Sequence, residues 1–428
     1  MNIAENFPYR RLMPLFTVQF LSLFSFSVLR DAILVLIVFS QINLWGIKNG
    51  VLINLVMAAA IVPMVLVSSY AGKLADAADK VWLMRRFQIL QLVFALLAGV
   101  ALYFDWDAVL IFALFAFGVL AACIGPAKYA MLPQYFSEHN LGLAIGYIEF
   151  GTFLAILIGQ SFGSWAIASH WQNAVIVVML GSALLGIYFS FKLFPAPATA
   201  AVRPRFYINP LLDAREMYFK VTRYPRQIRI NLHAIAWFWA LGLITSTEFS
   251  VFTKYFLGGD GHLFSVILGL FSLGLGIGTW LCAKVSRGNI IHRYVPLGGI
   301  TASIIMMVVL VIHHQRATGN LISLAQFLAQ PLGIITLLLI VSYSISCGFY
   351  SLTCYTEIQV KSNPEFRAQV IASVNILSGI YLLAAAGACA LLQLFLSSWW
   401  VIFIALCLNV LMVGRYHWKM KTTPRPLK

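Results

Sequence analysis

The 428-residue sequence contains little charge and very little acid. Only 10% of its residues are charged, and 14 Asp and Glu stand against 29 Lys and Arg. Because 61% of the residues are hydrophobic, the chain has little water-facing surface, which excludes a set of ordinary soluble domains. The net charge of +15 does not indicate nucleic-acid binding. The basic residues lie in short gaps between apolar runs rather than on one folded basic face.

Patterns typical of catalytic and metal sites are also missing from the sequence. The six cysteines lie in or beside apolar runs, with no CxxC pair and no His cluster at ligand spacing. This indicates small buried side chains rather than a metal site. No nucleophile triad and no phosphate-cradling loop is present, so we expect neither an enzyme nor a cofactor. We also expect no cleaved signal peptide, because the first apolar run is too long and holds Arg30 and Asp31.

Twelve apolar runs fill most of the chain, six on each side of one basic polar interval. Each run has about 20 residues or more, the length that crosses a bilayer core of about 30 Å. Continuous runs of this length are helices, because lipid offers the backbone no hydrogen-bond partners. The sequence therefore predicts an all-α polytopic membrane protein with twelve transmembrane helices: a six-helix half at 1–194, a cytoplasmic basic linker at 195–228 and a six-helix half at 229–428. The runs are 13–40, 49–71, 81–104, 107–131, 140–168, 173–194, 230–256, 262–284, 293–313, 329–355, 367–396 and 398–418.

The distribution of Lys and Arg predicts the orientation. Of the 29 basic residues, 25 lie on one side of the predicted membrane, only Lys48, Lys254 and Arg316 lie on the other, and Arg30 lies within the first run. Because cytoplasmic loops carry the excess of Lys and Arg, we expect both termini and the linker to be cytoplasmic.

Ionisable groups inside the predicted spans are candidates for substrate binding or gating, since burying a charge in a membrane is costly. They are Arg30, Asp31, Glu149, Glu248 and Glu357, with Lys128 near a helix end after a Gly-Pro pair that we expect to break its helix. Two interpretations stay open. In one, Arg30 and Lys128 simply neutralise Asp31 and Glu149; in the other, at least two of these groups face a central cavity.

Two six-helix halves joined by a long cytoplasmic loop resemble the architecture of major facilitator transporters. A motif between the second and third runs strengthens the resemblance: Gly72-Lys73-Leu74-Ala75-Asp76, followed by Asp79, Lys80, Arg85 and Arg86. Its glycine permits close helix approach, and its acid can cap or salt-bridge a neighbouring helix end.

Shorter stretches along the chain resemble the bacterial lysophospholipid transporters of that superfamily. They include Gln19-Phe20-Leu21-Ser22, Gly125-Pro126-Ala127-Lys128-Tyr129, Trp237-Phe238-Trp239, the glycine-rich stretch 271–278, Val295-Pro296-Leu297-Gly298 and Asn375-Ile376-Leu377. Each stretch alone is weak, and their order over about 350 residues carries the resemblance.

The resemblance implies flipping of lysophospholipid from the outer to the inner leaflet of the bacterial inner membrane for reacylation. It also implies membrane lipids as surroundings, a separate lysophospholipid acyltransferase as functional partner, and a monomer. Lys128 or Arg30 would then lie near the phosphate, and Asp31 or Glu149 near the amine. One departure is that Phe26 and Ser27 replace an Asp-Asn pair of the family, and another is Glu357 at an apolar position. Alternatives are a transporter of another solute, such as a drug–proton antiporter, and a transport-inactive scaffold.

The predicted topology can be tested at position 210 in the linker. A cysteine introduced there, with the native cysteines replaced, should resist a membrane-impermeant thiol reagent in intact cells and react after permeabilisation. Ready labelling in intact cells would overturn the orientation.

Overall fold

The computed structural model describes residues 7–38, 49–200, 205, 209–286, 289, 291–315, 317 and 321–422. Lys48, Arg316, both chain ends and part of the predicted linker lie outside these residues. The described chain is helical apart from loops and one isolated β-bridge between Gly259 and Ile322. Its helices are α1 Tyr9–Val38, α2 Asn49–Leu66, α3 Ser68–Ala77, α4 Lys80–Tyr103, α5 Asp107–Tyr135, α6 Glu138–Ala168, α7 Gln172–Ser190, α8 Pro210–Val221, α9 Arg226–Tyr255, α10 Gly261–Ser286, α11 Tyr294–Ile312, α12 Leu324–Leu328, α13 Pro331–Lys361, α14 Arg367–Gln393 and α15 Ser398–Lys421.

Eleven of the twelve predicted membrane helices are confirmed. Eleven helices in the described chain are long and apolar enough to span a bilayer, and they coincide with eleven of the twelve apolar runs. The remaining run, 49–71, forms α2 and α3, which are separated at Val67. The all-α membrane fold is therefore established, and twelve spans stay a prediction.

The chain divides into two compact units. Unit 1 contains Met1–Ala144, Leu154–Arg223 and Gln359–Gly379, and unit 2 contains Ile145–Phe153, Tyr224–Ile358 and Ile380–Lys428. In unit 1 a core of apolar side chains lies among α1, α2, α4, α5, α6 and α7. In unit 2 a smaller cluster joins α9, α14 and α15. The boundaries predicted at 194 and 229 stay a prediction.

Glycine allows two helices of unit 1 to pack closely. A Cβ atom at Gly159 of α6 would lie 2.7 Å from the carbonyl oxygen of Phe24 on α1 and 2.8 Å from the Cβ of Ser27. Any larger residue would force the two helices apart. This is the packing that small residues at four-residue spacing provide in membranes.

The helix break expected after Gly125 and Pro126 is not observed. α5 continues through Pro126 and a second proline, Pro133, to Tyr135. Proline removes only one donor from the helical ladder, and packing against neighbouring helices maintains the helix around it. Lys128 therefore projects from a continuous helix rather than from a loop.

Helical structure extends beyond the second apolar run into the motif. Gly72 and Asp76 lie on α3, Asp79 is the N-cap of α4, and Lys80 and Arg85 lie in the first turns of α4. The residues predicted as a loop thus form two helix ends joined at Ala78 and Asp79. This arrangement fixes the direction of each motif side chain.

The predicted linker contains a helix, α8, that the sequence analysis did not anticipate. Asn209 caps it by accepting a hydrogen bond from the N–H of Leu211, and Pro210 occupies its first turn. Its buried face packs Ala214 and Met217 against Ile376 of α14. α8 is therefore an integral part of unit 1.

A buried ion pair holds α8 against α3. The Lys73 ammonium lies 2.6 Å from Asp213 and 3.2 Å from Glu216, and it also donates to the carbonyl oxygen of Arg205. Lys73 and Asp213 are 1% and 0% exposed, whereas Glu216 and its other partner Lys220 are about one third exposed. Removing one member of a buried pair leaves the other charge without compensation, which typically costs about 3–5 kcal/mol.

We expect Lys73→Met to lower the apparent melting temperature of the purified protein strongly. Lys220→Met is the matched control, because its partly exposed pair with Glu216 should contribute only about 0–1 kcal/mol. The double variant Lys73→Met/Asp213→Leu should recover much of the loss, since no buried charge remains unpaired. Equal melting of the Lys73→Met and Lys220→Met variants would contradict this account.

Candidate functional site

A small cavity in unit 1 gathers polar side chains from three membrane helices. It has a volume of about 70 Å³ and is lined by Gln19 and Ser22 of α1, Gln91 of α4, and Lys128 of α5. Its remaining lining is mostly apolar: Leu23, Phe26, Phe117, Leu120, Ala121, Ile124 and Gly125. The cavity thus joins a polar end to an apolar wall.

Hydrogen-bond donors dominate the polar end of this cavity. Lys128 is 9% exposed, donates a 2.9 Å hydrogen bond to the side-chain oxygen of Gln19, and lies 4.8 Å from the centre of the Tyr129 ring. The side-chain nitrogen of Gln91 is buried and has no hydrogen-bond partner among the described residues. A buried donor of this kind is costly unless a ligand or water satisfies it. An ammonium group and an amide donor suit an anionic oxygen such as that of a phosphate.

Arg30 and Asp31 pair with each other on α1. The Nη2 and Nε atoms of Arg30 donate to one carboxylate oxygen of Asp31 at 2.6 and 2.9 Å. Adjacent residues point about 100° apart on a helix, and the long arginine side chain bridges that angle. Both side chains are about one fifth exposed, and the described lining of the unit 1 cavity does not include them.

Unit 2 contains three buried acidic residues. Glu149 is 2% exposed on α6. Glu248 of α9 is fully buried and accepts a 2.6 Å hydrogen bond from the side chain of Gln393 on α14. Glu357 of α13 is also fully buried and lies 3.0 Å from Nδ1 of His292, whose side chain is 46% exposed.

In both Glu248 and Glu357, only one of the two carboxylate oxygens has a hydrogen-bond partner among the described residues. A buried carboxylate oxygen without a partner is costly unless a ligand or water satisfies it. Sequence reasoning found both acids but neither partner, because Gln393 and His292 lie far from them along the chain.

Asp76 of the motif caps a distant helix. Its carboxylate accepts the backbone N–H groups of Ala368 and Gln369, at 3.0 and 3.1 Å, and the side-chain amide of Gln369 at 3.2 Å. These groups begin α14, so the acid satisfies free donors at the positive end of the helix dipole. A Cβ atom at Gly72, one turn earlier on α3, would lie 2.9 Å from the carbonyl oxygen of Ala368. The glycine therefore lets α3 approach closely enough for the cap to form.

The other motif residues support the beginning of α4. The Asp79 carboxylate accepts the N–H of Trp82 at 2.7 Å. Lys80 is buried and donates to the carbonyl oxygen of Pro197 at 2.9 Å, and Arg85 donates to the carbonyl oxygen of Ser190 at 3.4 Å. The motif is thus a set of helix caps and backbone anchors, and the predicted capping role of its acid agrees with the contacts of Asp76.

Comparison with known proteins identifies the family. The model of the Major Facilitator Superfamily matches residues 15–386. Several relatives bear the name lysophospholipid transporter LplT, and two of them illustrate the similarity. The protein from Photorhabdus laumondii is 25% identical over 253 residues, which are 58% of this chain and 61% of the relative. The protein from Serratia proteamaculans is 25% identical over 294 residues, 68% of this chain and 69% of the relative.

Solved structures share the fold at low identity. The human organic anion transporter MFSD10 superposes with a TM-score of 0.71 at 13% identity, covering 97% of this chain and 99% of that one. The transporter FucP in its outward conformation gives a TM-score of 0.69 at 11% identity, covering 94% and 98%. The predicted resemblance to major facilitator transporters of the lysophospholipid type is confirmed by the family match and the named relatives.

Asp76 should make stability depend on pH. It lies outside the membrane-spanning helices, and burial raises its pKa from 3.8 to about 6, although the amides of Ala368 and Gln369 favour the carboxylate. Stability gained by protonating the folded state is fully present below about pH 4 and is lost as pH rises through about 6. Each pKa unit corresponds to roughly 1.4 kcal/mol.

We therefore expect the melting temperature of the wild type to fall more than that of Asp76→Asn as the pH rises from 4.5 to 7.5. Asp79→Asn is the control, since its hydrogen bond to Trp82 is exposed. Parallel melting curves for the wild type and Asp76→Asn across this range would show that the carboxyl does not titrate there.

Proposed function

The chain belongs to the major facilitator superfamily, and we propose that it transfers lysophospholipid from the outer to the inner leaflet of the bacterial inner membrane. That it is a polytopic membrane transporter follows from the family and the helices. The substrate, the direction and the mechanism are our proposal. The names of the LplT relatives support it, although the chain spans only 61% of the first of them.

The observation that carries the proposal is the cavity in unit 1. A lysophospholipid carries a phosphate beside its one acyl chain. The cavity, whose volume of about 70 Å³ admits only a small group such as the phosphate, presents the donors Lys128 and Gln91 next to the apolar side chains Phe26 and Phe117. Lys128 would bind the phosphate, with Gln19 holding the ammonium group in place at 2.9 Å. Phe26 would contact the apolar part of the substrate at a position where the family has an acid.

Alternating access needs contacts that form in one state and break in another. The cap that Asp76 places on α14 suits this role, because it consists of hydrogen bonds to backbone N–H groups that water can replace. We propose that this cap is made in one transport state and released in another. Both termini would be cytoplasmic, the protein would act as a monomer, and a separate acyltransferase would consume the product.

A second candidate is a proton-coupled exporter of another amphiphile. The half-satisfied carboxylates Glu248 and Glu357 favour it, because each could carry a proton through the membrane. Sensitivity of transport to a protonophore distinguishes this function from uncoupled lipid transfer. A scaffold without transport would show no movement of any substrate.

The test is uptake of labelled lysophosphatidylethanolamine by cells or proteoliposomes. We expect Lys128→Ala to lower uptake about 10-fold or more, since a hydrogen bond to a charged group typically contributes 1.5–3 kcal/mol. Lys128→Arg keeps the charge and should retain part of the activity. Lys192→Ala is the matched control, because this exposed lysine also lies over an aromatic ring, 4.3 Å from Tyr188.

Normal uptake by Lys128→Ala at wild-type expression would reduce Lys128 to an interfacial anchor and remove the main support for this substrate. Equal loss in the Lys192→Ala variant would point to a general effect on folding or insertion.

A further inference from the structure

Four cations lie together where α9 begins and α15 ends. Arg226 and Arg229 lie in the first turn of α9, and Arg415 and Lys419 lie in the last turns of α15. The charges of the three arginines all act on the Lys419 ammonium. The two helix ends are linked because Arg226 donates to the side-chain oxygen of Thr422 at 2.8 Å. We call these four residues the cationic cluster.

The arginines of the cationic cluster have no acidic partner among the described residues. In the described part of the chain, no salt bridge includes Arg226, Arg229 or Arg415. The Nε atom of Arg229 is buried and has no hydrogen-bond partner there. Like charges at close range repel, and a buried donor without an acceptor is costly. The cluster is therefore suited to an anion.

An apolar groove begins beside the cationic cluster. It lies in unit 2 among α9, α14 and α15 and has a volume of about 420 Å³. Its lining is almost entirely apolar and includes several alanines, among them Ala240, Ala384, Ala388 and Ala405. From Met412 to Val401 along α15 it runs for roughly 16 Å at about 1.5 Å per residue, close to half of a bilayer core of about 30 Å.

The groove and the cationic cluster occupy the same helix faces. On α9, the cation Arg229 is followed by His233, Trp237, Ala240 and Ile244 at spacings of three or four residues, which places them on one face. The last three of these line the groove.

On α15, Lys419 and Arg415 continue the same spacing from the groove residues Met412 and Leu408. His233 also contacts the groove residue Tyr381, with 3.1 Å between its Nδ1 and the tyrosine hydroxyl. Charge and apolar surface therefore form one continuous feature.

We propose that this feature binds one phospholipid with an anionic headgroup, from the leaflet on the predicted cytoplasmic side. The phosphate lies among Arg229, Arg415 and Lys419, and one acyl chain lies in the groove. An ordinary lipid-facing surface offers apolar contact alone, whereas this one adds several cations at the depth of the headgroups. The bound lipid offsets the repulsion within the cationic cluster and joins the end of α15 to the start of α9.

This site is separate from the proposed transport cavity, whose lining lies in unit 1. Its failure would leave the proposed function standing, and loss of uptake in Lys128→Ala would not bear on it.

The test measures lipid retained by the purified full-length protein. Native mass spectrometry is used with added phosphatidylglycerol, phosphatidylethanolamine or lysophosphatidylethanolamine. We expect one tightly retained phosphatidylglycerol per chain, and phosphatidylethanolamine held at least 10-fold more weakly. Added phosphatidylglycerol should also raise the melting temperature of the wild type.

Two kinds of variant distinguish binding of the lipid headgroup from binding of the acyl chain. Arg229→Gln/Arg415→Gln should lower phosphatidylglycerol retention at least 10-fold and abolish the rise in melting temperature. Ala388→Phe and Ala384→Phe fill the exposed groove with the cationic cluster intact and should also lower retention. Arg223→Gln, at an exposed arginine outside this feature, is the control and should bind like the wild type.

Equal retention of phosphatidylglycerol and phosphatidylethanolamine would overturn the proposal, as would wild-type retention by the double arginine variant. If neither groove variant lowered phosphatidylglycerol retention, the proposed binding of an acyl chain in the groove would be wrong. Preferential binding of lysophosphatidylethanolamine would assign the groove to the transported substrate instead.

Discussion

A bilayer core supplies no hydrogen-bond partners, and most of this structure follows from that constraint. Backbone groups in the spans are satisfied within their own helices, which is why long apolar runs become α1, α4 to α7 and their counterparts later in the chain. The same constraint governs the few polar side chains inside. Lys128 contacts Gln19, Arg30 contacts Asp31, and Glu248 contacts Gln393. The side-chain nitrogen of Gln91 and the second oxygen of Glu357 are exceptions, because they lack a partner among the described residues.

The fold was largely predictable because hydropathy is a strong local signal. The ends of ten of the eleven spans agree with the apolar runs to within about four residues, even where Pro126 suggested a break in α5, and only α13 extends further, to Lys361. Proline removes only one hydrogen-bond donor from a helix, and packing against neighbouring helices keeps α5 continuous. The helix α8 was missed because its buried face is short, although Asn209 and Pro210 form a recognisable start signal.

Prediction of the site was less complete, for a different physical reason. The type and spacing of its residues indicated that Asp76 can cap or salt-bridge a neighbouring helix end and that Lys128 lies near a helix end. The structure shows the cap and buries Lys128. Partners such as His292 and Gln393 were missed, because contacts between distant parts of the chain leave no periodic signal in one sequence. In the sequence, the residues of the cationic cluster indicate only the orientation of the chain in the membrane. The structure places Arg229 and Arg415 beside an apolar groove.

The close approach of α3 to α14 has an evolutionary consequence. A Cβ atom at position 72 would meet the side chain of Ala372 at 2.6 Å and the backbone of Ala368 and Gln369 at 2.9 and 3.0 Å. A second substitution could shrink the side chain at position 372, but no substitution removes a carbonyl oxygen or a Cα atom. A larger residue at position 72 therefore has no compensating partner elsewhere in the sequence. Descendants of this chain that keep the Asp76 cap are confined to glycine at position 72, whatever substrate they come to carry.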